Sequence, residues 1–535
     1  MKKLLCYLLV LTMACSLGGV LAEGMESGGV PMTISPDGYP VMGEQVDLSM
    51  LLYTTAPEGK GAWSTPADVV FFKNMEQKTN IHFSFENLVW EAWKERVQLL
   101  IAGDTLPDVF LKTRFSDADL VKYGGEGIIQ DLTPYLEKYA PDFYQYAKEH
   151  DLLKYLTMNG GIWGLPYIYD SQGIRLGKIF FNTDWLAKVG KKMPTNWDEI
   201  FDVLAAFRDQ DANDNGDPND EIPCGFSDRG DLVSALSGEF GLMNRGTSMG
   251  AAYLDADPAD ETGNTLRFFY AADEMKDLLK MAKRFYDEKL IPSNFFDADY
   301  GDVYWQNAPY NKVGMHMLWA TATDQYVDKY IAMDRAPSDL WTVCSGYLGA
   351  KGGLVLTKEC KYPEAMVAWG NYMFTTKGAY DYFLGVEGET YTIQEDGTTA
   401  LTDWVLKNPD GLTTEQAMLR YSVYSGGANP GLLTDNTFKG GETYWTSLEG
   451  NAKFAPYAPK VIWERFPLSA ETTESVSTTR GDLDAVIAEY CANFITGKMD
   501  IDGTWDEFVS KLKQAGMEDY VWAYQEAYNK INGLS

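Results

Sequence analysis

Asp211, Asn213, Asn215, Asp217 and Asn219 set an oxygen-bearing side chain at every second position of Asp211-Ala-Asn-Asp-Asn-Gly-Asp-Pro-Asn-Asp-Glu-Ile-Pro223. Gly216 supplies the sharp turn such a loop needs to fold back on itself, and Asp220 and Glu221 follow to close the shell. A hard cation such as Ca2+ takes about six to eight oxygens at roughly 2.3–2.6 Å, and this D-x-N-x-N-G start has the ligand spacing of a calcium loop. A calcium sensor places a bidentate Glu at the twelfth loop position, where this chain has Ile222. The stretch therefore reads as a structural clamp for Ca2+, with no sensor groove implied. A polar, Asx-rich turn without metal is the plain alternative.

Other chemistry is thinly represented. There is no H-E-x-x-H and no P-loop. One G-x-S-x-G match occurs, Gly246-Thr-Ser-Met-Gly250, but polar Asn244-Arg245 precedes it and acidic Asp255-Ala-Asp-Pro258 follows. A nucleophile elbow needs an apolar strand before the Ser and a helix directly after it, so a Gly/Ser-rich loop is the better reading. The chain has three His and six Cys, none at zinc or CxxC spacing. Cys224, Cys344, Cys360 and Cys491 are compatible with buried thiols or with a Cys344–Cys360 disulfide.

The 535 residues suffice for one large two-lobed body or two to three domains, and an apolar fraction of 45% is that of a globular chain. With 45 basic against 77 acidic residues the net charge is −32, which argues against nucleic acid as a partner. Residues Met1 to Cys15 join a short basic segment to an apolar run too short to span a bilayer, the pattern of a secretory signal. Thr12-Met13-Ala14-Cys15 resembles a lipobox in which Cys15 is lipidated, although Leu is usual where Thr12 stands. Val20-Leu21-Ala22 offers ordinary cleavage before Glu23 as the alternative. The lipoprotein is preferred because a loose Gly/Ser/Glu-containing stretch follows Cys15. Residues 1–22 are thus read as signal peptide and lipobox region, and 23–45 as a flexible tether. The expected location is the outer face of a bacterial membrane, lipid-anchored, with a secreted or periplasmic form as the alternative.

The positioning elements alternate. Asp47 to Tyr53, Ile81 to Phe85 and Asp108 to Leu111 have strand character, while Pro66 to Thr79 and Trp90 to Ile101 have helical periodicity. Trp90, Trp93 and Val97 share a helix face and are expected in the core. Ile179 to Phe181, Lys312 to Trp319 and Gly353 to Thr357 are further strands. Asn182 to Val189 and Pro363 to Phe374 are helices, and another opens at Pro194-Thr-Asn-Trp-Asp-Glu199 with Thr195 or Asn196 as N-cap. Gly481 to Tyr528 reads as two or three amphipathic helices. Strands alternating with helices indicate an α/β fold with parallel strands.

In order along the chain lie Ile101-Ala-Gly-Asp-Thr-Leu-Pro-Asp-Val-Phe110, Gly161-Ile-Trp-Gly-Leu-Pro-Tyr167, Phe181-Asn-Thr-Asp-Trp-Leu186 and Pro194-Thr-Asn-Trp-Asp-Glu199. The calcium loop, Gly314-Met-His-Met-Leu-Trp319, Gly385-Val-Glu-Gly-Glu-Thr-Tyr391 and Phe494-Ile-Thr-Gly-Lys-Met-Asp-Ile-Asp502 follow. Together these pieces resemble the extracellular solute-binding proteins of bacterial ABC transporters, in the carbohydrate-type group and its alginate-binding, calcium-loop branch. The resemblance implies a two-lobed periplasmic-binding-protein-like α/β fold that closes on a ligand in the cleft between lobes. It implies crossings near Tyr167 to Arg175 and Tyr347 to Gly353. Lobe one would hold 46–168 and 313–348, lobe two 169–312 and 349–480, with 481–535 as closing helices. In such loops the closing acidic pair falls nine and ten residues in, where this chain has Asn219 and Asp220, so Asn219, Asp220 and Glu221 compete for that role. Val386-Glu-Gly-Glu389 corresponds to a structural turn.

Sugars present apolar C–H faces rimmed by hydroxyls, so their sites pair aromatic rings with short charged or amide groups. The chain's 15 Trp and 33 Tyr are enough to line such a cleft, although most aromatic residues pack in cores. Trp63, Trp163, Tyr167, Tyr169, Trp305 and Trp319 lie near the expected cleft edges, with Arg114, Asp170 and Asp104 as polar partners. Trp319 leads because its strand enters the cleft in the family. The expected function is capture of a neutral oligosaccharide for a membrane ABC permease, by a monomer and without catalysis. The acidic balance disfavours a uronate. A secreted glycoside hydrolase, which needs two carboxylates flanking the scissile bond, and a surface carbohydrate adhesin are the alternatives.

Overall fold

The computed structural model describes residues 25–53, 65–170, 175–246, 253–297, 299–301, 311–318, 329–412, 414–423, 428–438 and 449–534. Two four-stranded sheets organise the molecule. The first is built on Val46–Tyr53, whose last four residues are all buried, as befits a strand covered on both faces. It pairs in parallel with Ile81–Leu88 and with Val109–Leu111, and Leu354–Leu356 adds an antiparallel edge beside the latter. Helix Val70–Thr79 ends on Asn80 in the left-handed region (φ 57°), which turns the chain into the next strand. Helix Trp90–Ala102 makes the following crossover and buries Trp93, Val97 and Leu100, the face expected from their spacing.

The second sheet centres on Lys178–Asn182 and Val313–Leu318, which run antiparallel. Tyr330–Ala332 flanks the former and Ile222–Gly225 lies parallel to the latter. Asn182 caps helix Thr183–Lys188 by accepting from the backbone N–H groups of Asp184 and Trp185. Asn196, rather than Thr195, caps helix Trp197–Asp209 through the Glu199 N–H at 3.0 Å. Trp185, Phe201, Phe207 and Phe285 fill the core of this lobe. Three C-terminal helices, Ala470–Ile495, Ile501–Gln514 and Met517–Asn532, add Leu483, Phe494, Phe508 and Tyr520 to that same core.

The strand pairing reverses part of the expected division. The family resemblance puts segment 313–348 in lobe one, yet Val313–Leu318 bonds to Lys178–Asn182, and Met315, Met333, Trp341 and Cys344 join the second core. Segment 349–480 was assigned to lobe two, yet Leu354–Leu356 bonds to Val109–Leu111, and residues from Leu348 to Leu433 pack in the first core. Only its end, from Phe454 onward, belongs with the second core. Alternation identifies a strand but not its neighbour, so the exchange was invisible in the pattern. Residues 23–45 are likewise no loose tether where described. Met25–Ser27, Val30–Ile34 and Pro40–Met42 form an antiparallel meander with Val30, Met32 and Met42 buried in the first core. The Ser27 hydroxyl donates to Glu364 at 2.8 Å and accepts from the Ala365 N–H, docking the meander on helix Pro363–Tyr372.

Two segments pass between the cores side by side. The first runs from Ile168 in one core to Leu176 in the other, and the second returns from Cys344 to Leu348. They are antiparallel, with the N–H groups of Tyr169 and Gly349 bonded to the carbonyls of Tyr347 and Tyr167, and those of Gly177 and Ser345 to Val343 and Arg175. Residues 171–174 of the first crossing lie outside the described residues.

Candidate functional site: a calcium-type loop and an interlobe cleft

The loop from Asp211 joins helix Trp197–Asp209 to strand Ile222–Gly225, so both ends are anchored in the second lobe. Gly216 takes the left-handed conformation the turn requires (φ 90°). The Asp211 carboxylate accepts the N–H groups of Asn215 and Gly216 at 3.0 Å, and Asn213 also accepts from the Asn215 N–H. Asp220 is the convergence point. It accepts from the Asn213 and Asn215 side-chain amides at 3.0 Å and faces the Lys312 ammonium at 3.4 Å. Asn219 turns aside to Asp217.

Glu221 is the telling residue. One carboxylate oxygen accepts the Ala212 N–H at 2.9 Å, while the other is buried without a hydrogen-bond partner. Burial pushes this carboxyl above its ordinary pKa. A buried, unpaired carboxylate oxygen is costly unless something occupies its lone pairs. The donor set around it is all hard oxygen once the Asn amides present their carbonyl ends, so these residues fit a calcium-type cation. Among the described residues no group of three or more His, Cys, Asp or Glu meets closely enough to hold a metal by acidic and thiol ligands alone.

The carboxyl ends of the strands and the crossings beside them are the usual binding position in open α/β sheets. Arg114, just beyond Val109–Leu111, is exposed and donates to the Tyr53 hydroxyl at 2.8 Å, its guanidinium 4.4 Å above that ring. Tyr169 and Asp170 are half-buried on the first crossing. Arg175 stacks on the ring of Tyr347 at 3.8 Å, and the His150 ring packs against both Tyr347 and Tyr146. Burial first, then the neighbouring Asp170 carboxylate, pushes the Tyr146 phenol far up, so it stays a neutral donor. On the second lobe Lys178 pairs in register with Leu318 at the carboxyl end of Val313–Leu318. Complete burial pulls its ammonium down to about 7, and pulls His316 down to about 3.

Several sequence candidates are placed elsewhere. Tyr167 is buried between Tyr169 and Phe383, so it packs the core instead of lining the cleft. Trp163 is buried too, its indole N–H bonded to the Met158 carbonyl at 2.8 Å. Asp104 forms a surface ion pair with Lys358, too exposed to matter much for stability. No hydrogen bond or ion pair described here joins Arg114 to Asp170, which belong to separate clusters. Trp63, Trp305, Trp319 and Cys15 lie outside the described residues, as does the Ser of the G-x-S-x-G match. Tyr53, Arg175 and Tyr347 escaped the sequence reading, because nothing local distinguishes them from other strand and loop residues. The four cysteines are buried free thiols, and no described helix is long and apolar enough to cross a membrane.

Residues 58–380 match the family described as bacterial extracellular solute-binding protein. The chain is 23% identical over 495 residues to the fructooligosaccharide ABC transporter substrate-binding protein FusA of Streptococcus pneumoniae serotype 4 (strain ATCC BAA-334 / TIGR4), covering 87% of each chain. It is also 23% identical over 465 residues to lipoprotein LipO of Bacillus subtilis (strain 168), covering 82% of this chain and 85% of LipO. Solved structures of FusA with kestose and of a FusA EF-hand mutant with fructo-nystose both align at a TM-score of 0.70, with 20% and 19% identity, over 91% of this chain and 100% of theirs. The alginate-binding protein AlgQ2 without calcium ion aligns at 0.67, with 19% identity, over 91% of this chain and 98% of its own. At such identities the structural likeness establishes the two-lobed fold.

Proposed function

The chain belongs to the bacterial extracellular solute-binding proteins, and from that membership we propose that it captures a neutral oligosaccharide between its lobes and delivers it unchanged to an ABC permease. The observation that carries this is the junction between the lobes. Two open sheets are joined by short antiparallel crossings, with aromatic rings and charged tips (Arg114, Tyr169, Asp170, Arg175 and Tyr347) at the junction and buried Tyr53 holding Arg114 from below. Such rings suit the apolar faces of sugars and such tips their hydroxyls. The fructooligosaccharide relative supports the same ligand class. The net charge of −32 favours a neutral ligand over a polyanionic one.

Calcium is the second part of the proposal. Asp211, Asn213, Asn215, the Asp217 carbonyl, Asp220 and Glu221 would hold it, with Asn219 outside the shell. The ion's two positive charges would offset most of the charge of the three carboxylates, Asp211, Asp220 and Glu221, and stiffen the loop. The lipoprotein relative and the Thr12-Met13-Ala14-Cys15 sequence support lipid anchoring at Cys15. The protein acts as a monomer and carries out no catalysis.

Thermal unfolding of the calcium-loaded chain against kestose, other neutral oligosaccharides, uronates and peptides tests the proposal. A ligand at about a hundred times its Kd adds about 2.7 kcal/mol to the folded state. A shift confined to neutral sugars, with the sugar recovered intact, is expected. A shift confined to uronates or peptides overturns the ligand class, and a consumed sugar overturns the binder in favour of a hydrolase.

A further inference from the structure

The second crossing is very short. Cys344 is buried in one core and Leu348 in the other, leaving Ser345, Gly346 and Tyr347 as the link between them. Both backbone N–H groups at its far end, Tyr347 and Leu348, donate to one carboxylate, that of Glu464, at 2.5 and 3.0 Å. Glu464 is only 7% exposed, and its chain neighbours Trp463 and Phe466 are core residues of the second lobe. A carboxylate rooted in one lobe therefore grips the backbone where it enters the other.

Three further features mark this as a built arrangement. A Cβ at Gly346 would stand 2.3 Å from the Glu464 carboxyl carbon, so that only glycine leaves room for the grip. Arg175 of the first crossing donates to the Ser345 carbonyl at 3.1 Å and lies over the Tyr347 ring, bracing the link from its other side. Buried Lys351, 2% exposed, pairs with Asp117 at 2.7 Å and reaches the Arg465 carbonyl at 3.5 Å. The Glu464–Arg465 stretch thus holds the chain twice, its Glu464 carboxylate accepting from the crossing and its Arg465 carbonyl accepting from Lys351 just beyond it.

We infer that Glu464 is a hinge pin, a positioning residue that fixes the axis about which the lobes close and contributes to ligand affinity without touching ligand. The inference rests on the cleft-closing reading above. Backbone N–H bonds to a buried carboxylate are charge-assisted and short, hence stiff. Within the second crossing, rotation is then left to the few dihedrals of residues 345–347, the kind of short link that ordinarily absorbs hinge motion. Without the pin the ligand-free protein samples a broader range of lobe angles, and closure must restrict more of them.

The test uses Glu464→Gln, which is isosteric but turns an amide N–H2 against one of the two backbone donors, and Gly346→Ala, which displaces the carboxylate sterically. Spin labels at Glu137→Cys in the first lobe and Asp198→Cys in the second report the interlobe distance distribution without any ligand. Each variant is expected to broaden that distribution, and the double variant to broaden it no further, because both break one contact. A defect of local packing alone would lower the unfolding midpoint and leave the distribution unchanged. In parallel the Kd for kestose is expected to rise roughly tenfold, through faster release. Unchanged distributions in both single variants overturn the hinge pin. Failure of the unsubstituted protein to bind kestose counts against the ligand class instead, because the distances are measured without sugar.

Discussion

Glu221→Gln is the sharpest test of the calcium loop, because the structure predicts opposite effects with and without the ion. The substitution keeps the carbonyl oxygen that accepts the Ala212 N–H and replaces the buried, unpartnered oxygen with an amide. Without calcium that trades an unpartnered, charged carboxylate oxygen, whose desolvation costs about 1–3 kcal/mol, for an unpartnered but uncharged amide N–H2, so the variant should be about as stable as the parent or slightly more so. With calcium it removes a ligand from the shell. A cation at about a hundred times its Kd stabilises the folded state by about 2.7 kcal/mol. At about 2 °C per kcal/mol for a lobe of about 250 residues, the midpoint should rise by about 5 °C. Differential scanning calorimetry in chelator and then in millimolar calcium reads both quantities on both proteins. The expected result is a calcium shift of that size in the parent and a largely abolished one in Glu221→Gln, from an equal or higher chelator baseline. A full shift in the variant would remove Glu221 from the shell. No shift in the parent would refute the cation altogether and leave an Asx-rich turn.

Lys178 is completely buried, and its pKa drops from 10.5 in the unfolded chain to about 7 in the fold. The unfolded state therefore holds the extra proton between those values, and the stability this group contributes is present above 10.5 and lost as pH falls towards 7. Unfolding free energy should climb across that window by several kcal/mol at most, and Lys178→Met should flatten the climb in denaturant titrations. Asp255, fully buried, holds Arg267 at 2.8 Å and the Met243 N–H at 2.8 Å. Asp255→Ala should cost about 1–3 kcal/mol in urea unfolding, since it leaves the buried Met243 N–H unpaired and Arg267 with Glu274, at 3.2 Å, as its remaining carboxylate; a loss below about 0.5 kcal/mol would refute that reading of the site. Arg114→Ala should raise the Kd for kestose about tenfold, or about 1.4 kcal/mol, with little change in midpoint, because its guanidinium is exposed at the strand ends. Equal affinity by calorimetric titration would exclude Arg114 from the ligand contacts.

Much of the local structure was legible because its causes are local. Asn182 and Asn196 cap helices where a short amide meets a run of helix formers. The spacing of Trp93, Val97 and Leu100 put them on one buried face, and Asn80 ends its helix in the left-handed region. The meander of residues 25–42 was missed because its strands are three to five residues long, too short for alternation to rise above Gly and Pro. Its order comes from docking on a helix more than three hundred residues away.

The alternating elements, the ligand spacing of the Asp211 loop and the likeness to a solute-binding family can all be read from the chain, because each is encoded within a few consecutive residues. Only long-range packing settles which sheet Val313–Leu318 and Leu354–Leu356 join, that Tyr167 and Trp163 pack inward, and that Asp220 gathers the Asn213 and Asn215 amides while Asn219 turns to Asp217. It also decided the role of Glu464. In Trp463-Glu464-Arg465 that residue reads as an ordinary surface acid, and only the return of residues 345–348 beside it makes it a bridge between lobes. Pairing partners and burial depend on chain segments distant in sequence, and no local pattern carries that information.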